Sequence, residues 1–222
     1  IENFSIPKNK ITTIYNGVDE VMIKQKVEDG LTSKENGLFT NNETVITMGR
    51  LVYKKGFEHL IEAYKMVKKQ IPRAKLIIIG KGPLRKTFLN VIQSLALNKD
   101  VILFGFEKTN PYRLLKKADV FAFSSLYEGF GNVIIEAMHC GLPIISTDCP
   151  YGPGEILGNN RWGILVSQVG TNENHLAEEI IRLLKNKALL NKYKKRSLRR
   201  AQSFTLDIMG KNYLRVIHSM IK

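Results

Sequence analysis

The sequence predicts an α/β fold with a doubly wound parallel sheet. Short apolar runs alternate along the chain with segments whose apolar residues recur at helical spacing. The run Ala74–Ile79 is almost continuously apolar, which is typical of a parallel strand covered on both faces. Glycine-containing loops follow several of these runs. Together these observations indicate βαβ units that build one parallel sheet.

The amino-terminal part has the least regular pattern. Ile11–Tyr15 alternates apolar and polar residues and predicts a short strand, followed by a turn at Asn16-Gly17. The segment 20–42 is polar and rich in glycine and asparagine, so we expect a loop or a poorly ordered insertion there. We interpret residues 1–19 as a linker and first strand that enter from a domain missing from this chain.

The remaining elements are predicted from apolar periodicity and from the glycines and prolines between runs. We expect one domain over 20–202 and a separate final helix within 203–222. Strands are predicted at 43–49, 74–79, 101–104, 118–123, 143–146 and 162–166. Helices are predicted at 57–71, 83–97, 111–117, from about 132, at 172–186, at 188–202 and at 206–221.

Composition favours an anionic partner. The 222 residues include 34 Lys and Arg against 20 Asp and Glu, a formal net charge of +14. Segment 182–200 holds nine of the basic residues and no acidic one. The sequence leaves open whether this segment is a solvated helix face or rests on anionic lipid headgroups. Nucleic acid is not expected, because no aromatic side chains are interleaved with the charge.

The sequence gives no support for a metal-binding or a membrane-spanning protein. Cys140 and Cys149 lack zinc or CxxC spacing, so we expect two free thiols in a reducing compartment. The four histidines are scattered singly, and no apolar run reaches the roughly 18–20 residues of a membrane span. Glu155 follows Pro153 and is expected to be an acid at a helix start.

The stretch 124–146 contains the strongest site signal. A strand ends before a loop with Gly129 and Gly131, and a helix begins near Asn132. Such a loop lies at the carboxyl edge of a sheet, where open α/β folds bind ligands. Glycines let backbone N–H groups approach an anion, and the helix start adds its positive dipole end. Glu128 and Glu136 flank this cradle and are expected to face sugar or ribose hydroxyls.

A second loop, 50–56, supplies basic side chains after another strand. Arg50 offers a forked guanidinium and Lys55 a point charge, a pair suited to neutralising a diphosphate. Lys54 is interpreted as solvated surface. Gly80 and Gly82 form a GxG motif after the next strand. This motif either belongs to a phosphate-binding loop or serves only the turn.

These blocks resemble the family-4 retaining glycosyltransferases, whose two Rossmann-like domains face a cleft in the GT-B fold. The similar blocks are Glu128-Gly-Phe-Gly-Asn-Val-Ile-Ile-Glu136 with Ala137-Met-His-Cys-Gly-Leu-Pro-Ile-Ile-Ser-Thr147, Gly49-Arg-Leu51, Lys55-Gly56, Gly80-Lys-Gly-Pro-Leu84 and Asn16-Gly-Val-Asp19. The resemblance spans almost the whole chain but only the carboxyl-terminal half of the family. It therefore implies a Rossmann-like doubly wound parallel sheet that forms one half of a GT-B enzyme.

The resemblance also implies roles for single residues. It assigns Glu136 to the ribose hydroxyls, Glu128 to the donor sugar, and Arg50 and Lys55 to the diphosphate. No cofactor or metal is implied, because the nucleotide sugar is a substrate. Glu128, Arg50 and Lys55 are expected to take part in transfer, within a binding set of Gly49, Arg50, Lys55, Gly80, Gly82, Phe106, Glu128, Gly129, Phe130, Gly131, Asn132, Val133 and Glu136.

The expected function is that of the donor-binding half of a retaining transferase that uses a nucleotide diphosphate sugar, with UDP-sugar favoured. Its acceptor would be a glycan or lipid-linked sugar in bacterial capsule or lipopolysaccharide synthesis, at the cytoplasmic face of the membrane. The missing amino-terminal domain would hold the acceptor, so this chain alone is expected to be inactive.

The same residues also suggest three other functions. A glycoside hydrolase is disfavoured because it has no use for a diphosphate clamp. A nucleotide-sugar epimerase of the same fold and a non-catalytic basic module that binds lipid or nucleic acid stay open. In GT-B enzymes the last helix crosses back to the other domain, so Tyr213, Val216, Ile217 and Met220 are expected to face an absent partner.

Overall fold

A computed structural model of the chain describes residues 6–7, 10–105, 110–167 and 173–221. Its centre is a six-stranded sheet in which every neighbouring pair of strands is parallel. The strand order β3-β2-β1-β4-β5-β6 reverses direction between β1 and β4, which confirms the doubly wound, Rossmann-like α/β prediction. The strands are β1 (Thr44–Met48), β2 (Lys75–Ile79), β3 (Val101–Phe104), β4 (Val120–Phe123), β5 (Ile144–Thr147) and β6 (Ile164–Val166).

Helices cover both faces of the sheet. Within β1, Val45 joins one hydrophobic cluster while Ile46 and Met48 join the other, so alternate side chains point to opposite faces. This double coverage explains why most strand residues are apolar. The helices are α1 (Glu20–Lys26), α2 (Ser33–Phe39), α3 (Phe57–Gln70), α4 (Arg85–Ser94), α5 (Pro111–Lys117), α6 (Asn132–His139), α7 (Pro153–Leu157), α8 (Glu173–Lys185), α9 (Lys187–Ala201) and α10 (Leu206–Ile221).

The prediction of a loop or poorly ordered insertion over 20–42 is wrong, because α1 and α2 lie there. Asp19 caps α1 by accepting a hydrogen bond from the N–H of Met22 at 2.8 Å. Thr32 and Glu35 form a reciprocal capping box at the start of α2. A salt bridge of 2.7 Å from Arg113 to Glu35 then ties α2 to α5. The two helix caps and this salt bridge stabilise helices in the segment despite its glycines.

The prediction of a strand at Ile11–Tyr15 is also wrong. This segment pairs with no strand of the sheet, and its last residue, Tyr15, contacts Phe204 just before α10. The ring of Tyr15 stacks on Phe130 at 5.2 Å between centroids. Beyond it, Val18 donates to the carbonyl of Phe204 at 3.0 Å and accepts from Leu206 at 3.2 Å. The alternating apolar residues therefore precede a contact with the α9–α10 junction and not with a strand.

Helix α10 presents a large apolar surface. None of its described residues is buried, and Tyr213, Leu214, Ile217 and Met220 are all exposed. Val216 is partly buried. That this face contacts another domain remains a prediction.

Three loops at the carboxyl edge of the sheet approach each other so closely that glycine is required. A Cβ on Gly80 would lie 1.9 Å from the carbonyl oxygen of Gly49, and one on Gly82 would lie 2.5 Å from that of Leu51. A Cβ on Gly56 would lie 2.0 Å from the carbonyl oxygen of Ser124. The glycines of the GxG therefore allow close packing of the loops after β1 and β2.

We predict that Gly80→Ala lowers the free energy of unfolding by about 2–3 kcal/mol, since the methyl group collides with backbone that cannot rotate away. Denaturant titration measures this change. Gly30→Ala is the matched control, because its Cβ meets nothing within 4 Å, and its effect should stay within about 0.5 kcal/mol. Equal effects of the two substitutions would contradict the close approach.

Candidate functional site

A cavity of about 530 Å³ opens at the carboxyl edge of the sheet. It receives residues that follow β1 and β2 and residues from the first turns of α5 and α6. The strand order reverses here between β1 and β4, which is where doubly wound sheets bind ligands. The lining residues are Met48, Gly49, Arg50, Lys54, Lys55, Gly80, Lys81, Pro111, Tyr112, Val133 and Glu136.

The cavity wall is strongly basic. Arg50 is exposed, and no described residue forms a hydrogen bond or ion pair with its guanidinium. Lys54, Lys55 and Lys81 line the same space. The interpretation of Lys54 as solvated surface is wrong, because its side chain is partly buried and its ammonium lies 5.8 Å from the ring centroid of Tyr127. Lys55 makes a similar cation–π contact, with its ammonium 5.4 Å from the ring centroid of Phe123.

Glu128 lies behind this wall and pairs with it. One of its oxygens, Oε1, accepts from the ammonium of Lys55 and from the hydroxyl of Ser125, the latter at 2.8 Å. The side chains of Lys55 and Glu128 are 12% and 9% exposed, so the pair is largely shielded from water. The loops after β1 and β4 are thereby joined by a charged contact.

Glu136 supplies a carboxylate on the opposite wall. Burial raises its pKa to about 7, since a desolvated carboxylate is disfavoured. The hydroxyl of Tyr112 donates to this carboxylate and opposes the increase in its pKa. Burial, followed by the charge of Glu136, raises the pKa of Tyr112 to about 12, so the phenol remains a donor. The described residues give Glu136 no cationic partner.

The start of α6 is open to an anion. Gly131 precedes the helix at φ +98° and no side chain caps it, whereas Asn110 caps α5. The N–H of Ile134 donates to the carbonyl of Gly131 at 2.9 Å. The N–H groups of Asn132 and Val133 have no acceptor among the described residues. An uncapped helix start leaves its donors and its positive dipole end available.

Other predicted site residues lie outside the cavity lining. The ring of Phe130 packs between Tyr15 and Phe204, at 5.2 and 5.8 Å, so only its backbone belongs to the glycine loop. The side chain of Asn132 accepts from that of Asn16 at 3.2 Å. Phe130 and Asn132 thus anchor the amino-terminal segment on the loop.

The predicted glycines also differ in whether they line the cavity. Gly49 and Gly80 line the cavity, while Gly82 supports the turn behind it. Gly129 has open space around its Cα, so nothing in its packing requires a glycine. Phe106 lies outside the described residues.

Tyr112, Lys81, Met48 and Pro111 are cavity residues that the sequence interpretation missed. A signal existed for Tyr112, because Asn110-Pro111 is a helix-start pattern that places the next residue in a first turn at this edge. Lys81 stands within the GxG itself.

The described residues offer neither a metal site nor a membrane-spanning helix. Across the described ranges, no three His, Cys, Asp or Glu residues come close enough to hold a metal ion. Nor does any helix there combine the length and apolarity needed to cross a bilayer.

We predict that Glu136→Gln stabilises the ligand-free chain at pH 8 by about 1–3 kcal/mol and changes little near pH 4. The raised pKa means that the folded chain holds this proton between pH 4.5 and about 7, while the unfolded chain releases it. Stability therefore falls as pH rises through this window, and the glutamine variant escapes the loss. Denaturant unfolding at the two pH values measures it, and destabilisation at both would contradict burial as the cause.

Comparison with known proteins places this architecture among sugar transferases. An N-acetylgalactosamine-N,N'-diacetylbacillosaminyl-diphospho-undecaprenol 4-alpha-N-acetylgalactosaminyltransferase of Campylobacter jejuni is 34% identical over 204 residues, which is 92% of this chain and 52% of that protein. An uncharacterised glycosyltransferase of Methanocaldococcus jannaschii is 32% identical over 246 residues, covering 99% of this chain and 60% of its own. The chain thus spans about half the length of these curated relatives.

Solved structures show the same fold. Anabaena HepE in complex with UDP and glucose superposes with a TM-score of 0.82 at 23% identity, over 97% of this chain and 59% of that one. Staphylococcus aureus TarM, in complex with fondaparinux, alpha-GlcNAc-glycerol and UDP, gives 0.79 at 24% identity, over 96% and 40%. Residues 29–200 match the family described as glycosyl transferases group 1. The chain belongs to this glycosyltransferase family and forms one Rossmann-like half of its GT-B fold.

Proposed function

We propose that the chain is the donor-binding half of a retaining glycosyltransferase that transfers a hexosyl group from a nucleoside diphosphate sugar, with UDP-sugar favoured. One observation carries the proposal: four basic side chains and an uncapped helix start converge on one cavity that also holds a carboxylate. Bound UDP in the HepE and TarM structures supports the choice of nucleotide.

The diphosphate would bind between Arg50 and the start of α6. A guanidinium can donate two parallel hydrogen bonds to phosphate oxygens, and Lys54, Lys55 and Lys81 add charge from the same wall. The N–H groups of Asn132 and Val133 are fixed donors that need no reorganisation. Such preorganised donors stabilise the negative charge that grows on the leaving diphosphate during transfer.

The ribose would bind at Glu136. Vicinal hydroxyls donate to a carboxylate, and Glu136 lines the cavity beside Tyr112, whose hydroxyl favours the charged form of that carboxylate. A bound ribose would replace water as the donor to a carboxylate that has no cationic partner.

The donor sugar would bind beside Glu128, whose second oxygen, Oε2, has no partner among the described residues. Retention of anomeric configuration rests on the resemblance of the Glu128–Glu136 motif. In that mechanism the leaving phosphate takes the acceptor's proton on the same face of the sugar. No metal or cofactor is part of the proposal.

The acceptor would be bound outside the described chain, by the amino-terminal domain expected from the length of the relatives. The exposed apolar face of α10 offers a contact for that domain. The Campylobacter jejuni relative is named for a diphospho-undecaprenol substrate, which supports a lipid-linked acceptor. We therefore assign the whole enzyme to bacterial surface polysaccharide synthesis at the cytoplasmic face of the membrane.

Two alternatives make different predictions. An epimerase of the same fold would convert the nucleotide sugar without an acceptor, so product analysis after supplying the missing domain separates it from a transferase. A non-catalytic basic module would keep its lipid or nucleic acid binding when Arg50 and Glu136 are replaced.

We predict that the chain binds UDP with a Kd between about 1 µM and 1 mM, within the ordinary range for enzyme substrates. Arg50→Ala should weaken binding at least about tenfold, because a bidentate phosphate contact is lost. Isothermal titration with a panel of nucleoside diphosphates measures both. Lys192→Ala removes the same charge at an exposed position of α9, outside the cavity lining, and should change little. Failure of every nucleoside diphosphate to bind would reject the proposal.

We also propose that α9 rests on anionic lipid. The helix carries no acidic residue, and Lys192, Lys195 and Arg199 are exposed at helical spacing around the exposed Leu198.

Replacing these three cations by Gln should reduce sedimentation with phosphatidylglycerol vesicles at least about tenfold, at roughly 1 kcal/mol per charge. The exposed lysines Lys65, Lys69 and Lys86 give a charge-matched control, and equal losses would leave α9 as a solvated face.

A further inference from the structure

We propose that Glu128 and a diphosphate compete for Lys55. In the nucleotide-free chain Glu128 holds the ammonium, and an arriving diphosphate takes it over and frees the carboxylate for sugar hydroxyls. Glu128 thereby weakens the binding of a bare nucleoside diphosphate, which is the product of transfer. This inference rests on the proposed function and adds a role for one of its residues.

The contact itself is well defined. Lys55 lines the cavity, and its ammonium pairs with Oε1 of Glu128, which is not among the lining residues. The same oxygen accepts from Ser125 at 2.8 Å, so two donors hold the carboxylate in place. The stem of Lys55 passes over Gly49, where a Cβ would be 3.4 Å from Cε. Lys55 thus reaches the cavity and Glu128 from one backbone position.

The backbone around the pair is fixed on both sides. The hydroxyl of Ser124 donates to the carbonyl of Lys55 at 2.9 Å, and Leu126 donates to the carbonyl of Lys54 at 2.9 Å. Glu128 itself donates to Pro150 at 2.8 Å and accepts from Tyr151 at 3.1 Å through its backbone. Only side-chain rotation is therefore available for a change of partner, and the flexible stem of Lys55 provides it.

Electrostatic attraction and repulsion determine whether Glu128 or the diphosphate holds the ammonium of Lys55. An ammonium paired with a shielded carboxylate has lost most of its attraction for a phosphate, and the carboxylate also repels the anion. Arg50, Lys54 and Lys81 still attract a diphosphate, so binding goes forward against this opposition. Sugar hydroxyls can donate to the freed carboxylate and offset the lost ion pair, whereas a bare diphosphate offers no such donor.

The test is a double-mutant cycle read by isothermal titration with UDP and with inorganic pyrophosphate. Glu128→Gln should tighten UDP binding about fivefold or more, since Lys55 is released and a repulsive charge is removed. In a Lys55→Gln background the same change should give less than about a twofold gain, because nothing remains to be released. A gain of equal size in both backgrounds, or no gain, would overturn the proposal.

A second variant keeps the test valid if Glu128→Gln does not fold. Glu128→Asp retains the charge but withdraws it from Lys55, so competition predicts tighter UDP binding while simple repulsion predicts none. Glu178→Gln, at an exposed position of α8, is the charge-matched control and should leave UDP affinity unchanged.

The outcome for the proposed function can be read separately. If the unaltered chain binds no nucleoside diphosphate, the proposed function fails and the competition fails with it. If the unaltered chain binds UDP and the Glu128 variants bind it equally well, only the competition is overturned.

Discussion

The close packing of three loops at the carboxyl edge of the sheet holds the cavity together. Gly80 lets the loop after β2 touch the backbone of Gly49, and Gly56 lets the start of α3 touch that of Ser124. These contacts leave no room for side chains between the loops. The basic residues after β1 are therefore held opposite the start of α6, and the distance between them is set by backbone rather than by flexible side chains.

Charge in this frame is arranged for an anion rather than for stability alone. Arg50 has no partner among the described residues, and Glu136 carries a carboxylate whose pKa burial raises to about 7. A protein selected only for stability would replace both groups. The Lys55–Glu128 pair compensates one of the cavity's positive charges, and it joins the proposed diphosphate and sugar subsites.

The sequence predicted the sheet well because the central strands β1, β4 and β5 are buried along their whole length and most strand residues are apolar. Helix α5 was predicted at both ends, since Asn110 and Pro111 mark its start. The segment 20–42 was misread because glycine was weighed above the capping box of Thr32 and Glu35. Lys54 was missed since its place in the cavity depends on which loops the sheet brings together, which no local pattern encodes, whereas Asn110-Pro111 offered a signal for Tyr112. Phe130 was expected at the ligand, but its ring completes an aromatic cluster with residues distant in sequence.

The amide spectrum of the ¹⁵N-labelled chain during titration with UDP tests most directly whether a diphosphate binds where α6 begins. Saturable shifts are expected for the amides of Asn132 and Val133 and for those around Arg50, and inorganic pyrophosphate should reproduce the part that the phosphates cause. Shifts confined to α9 or α10, with the start of α6 unchanged at saturation, would contradict the assignment.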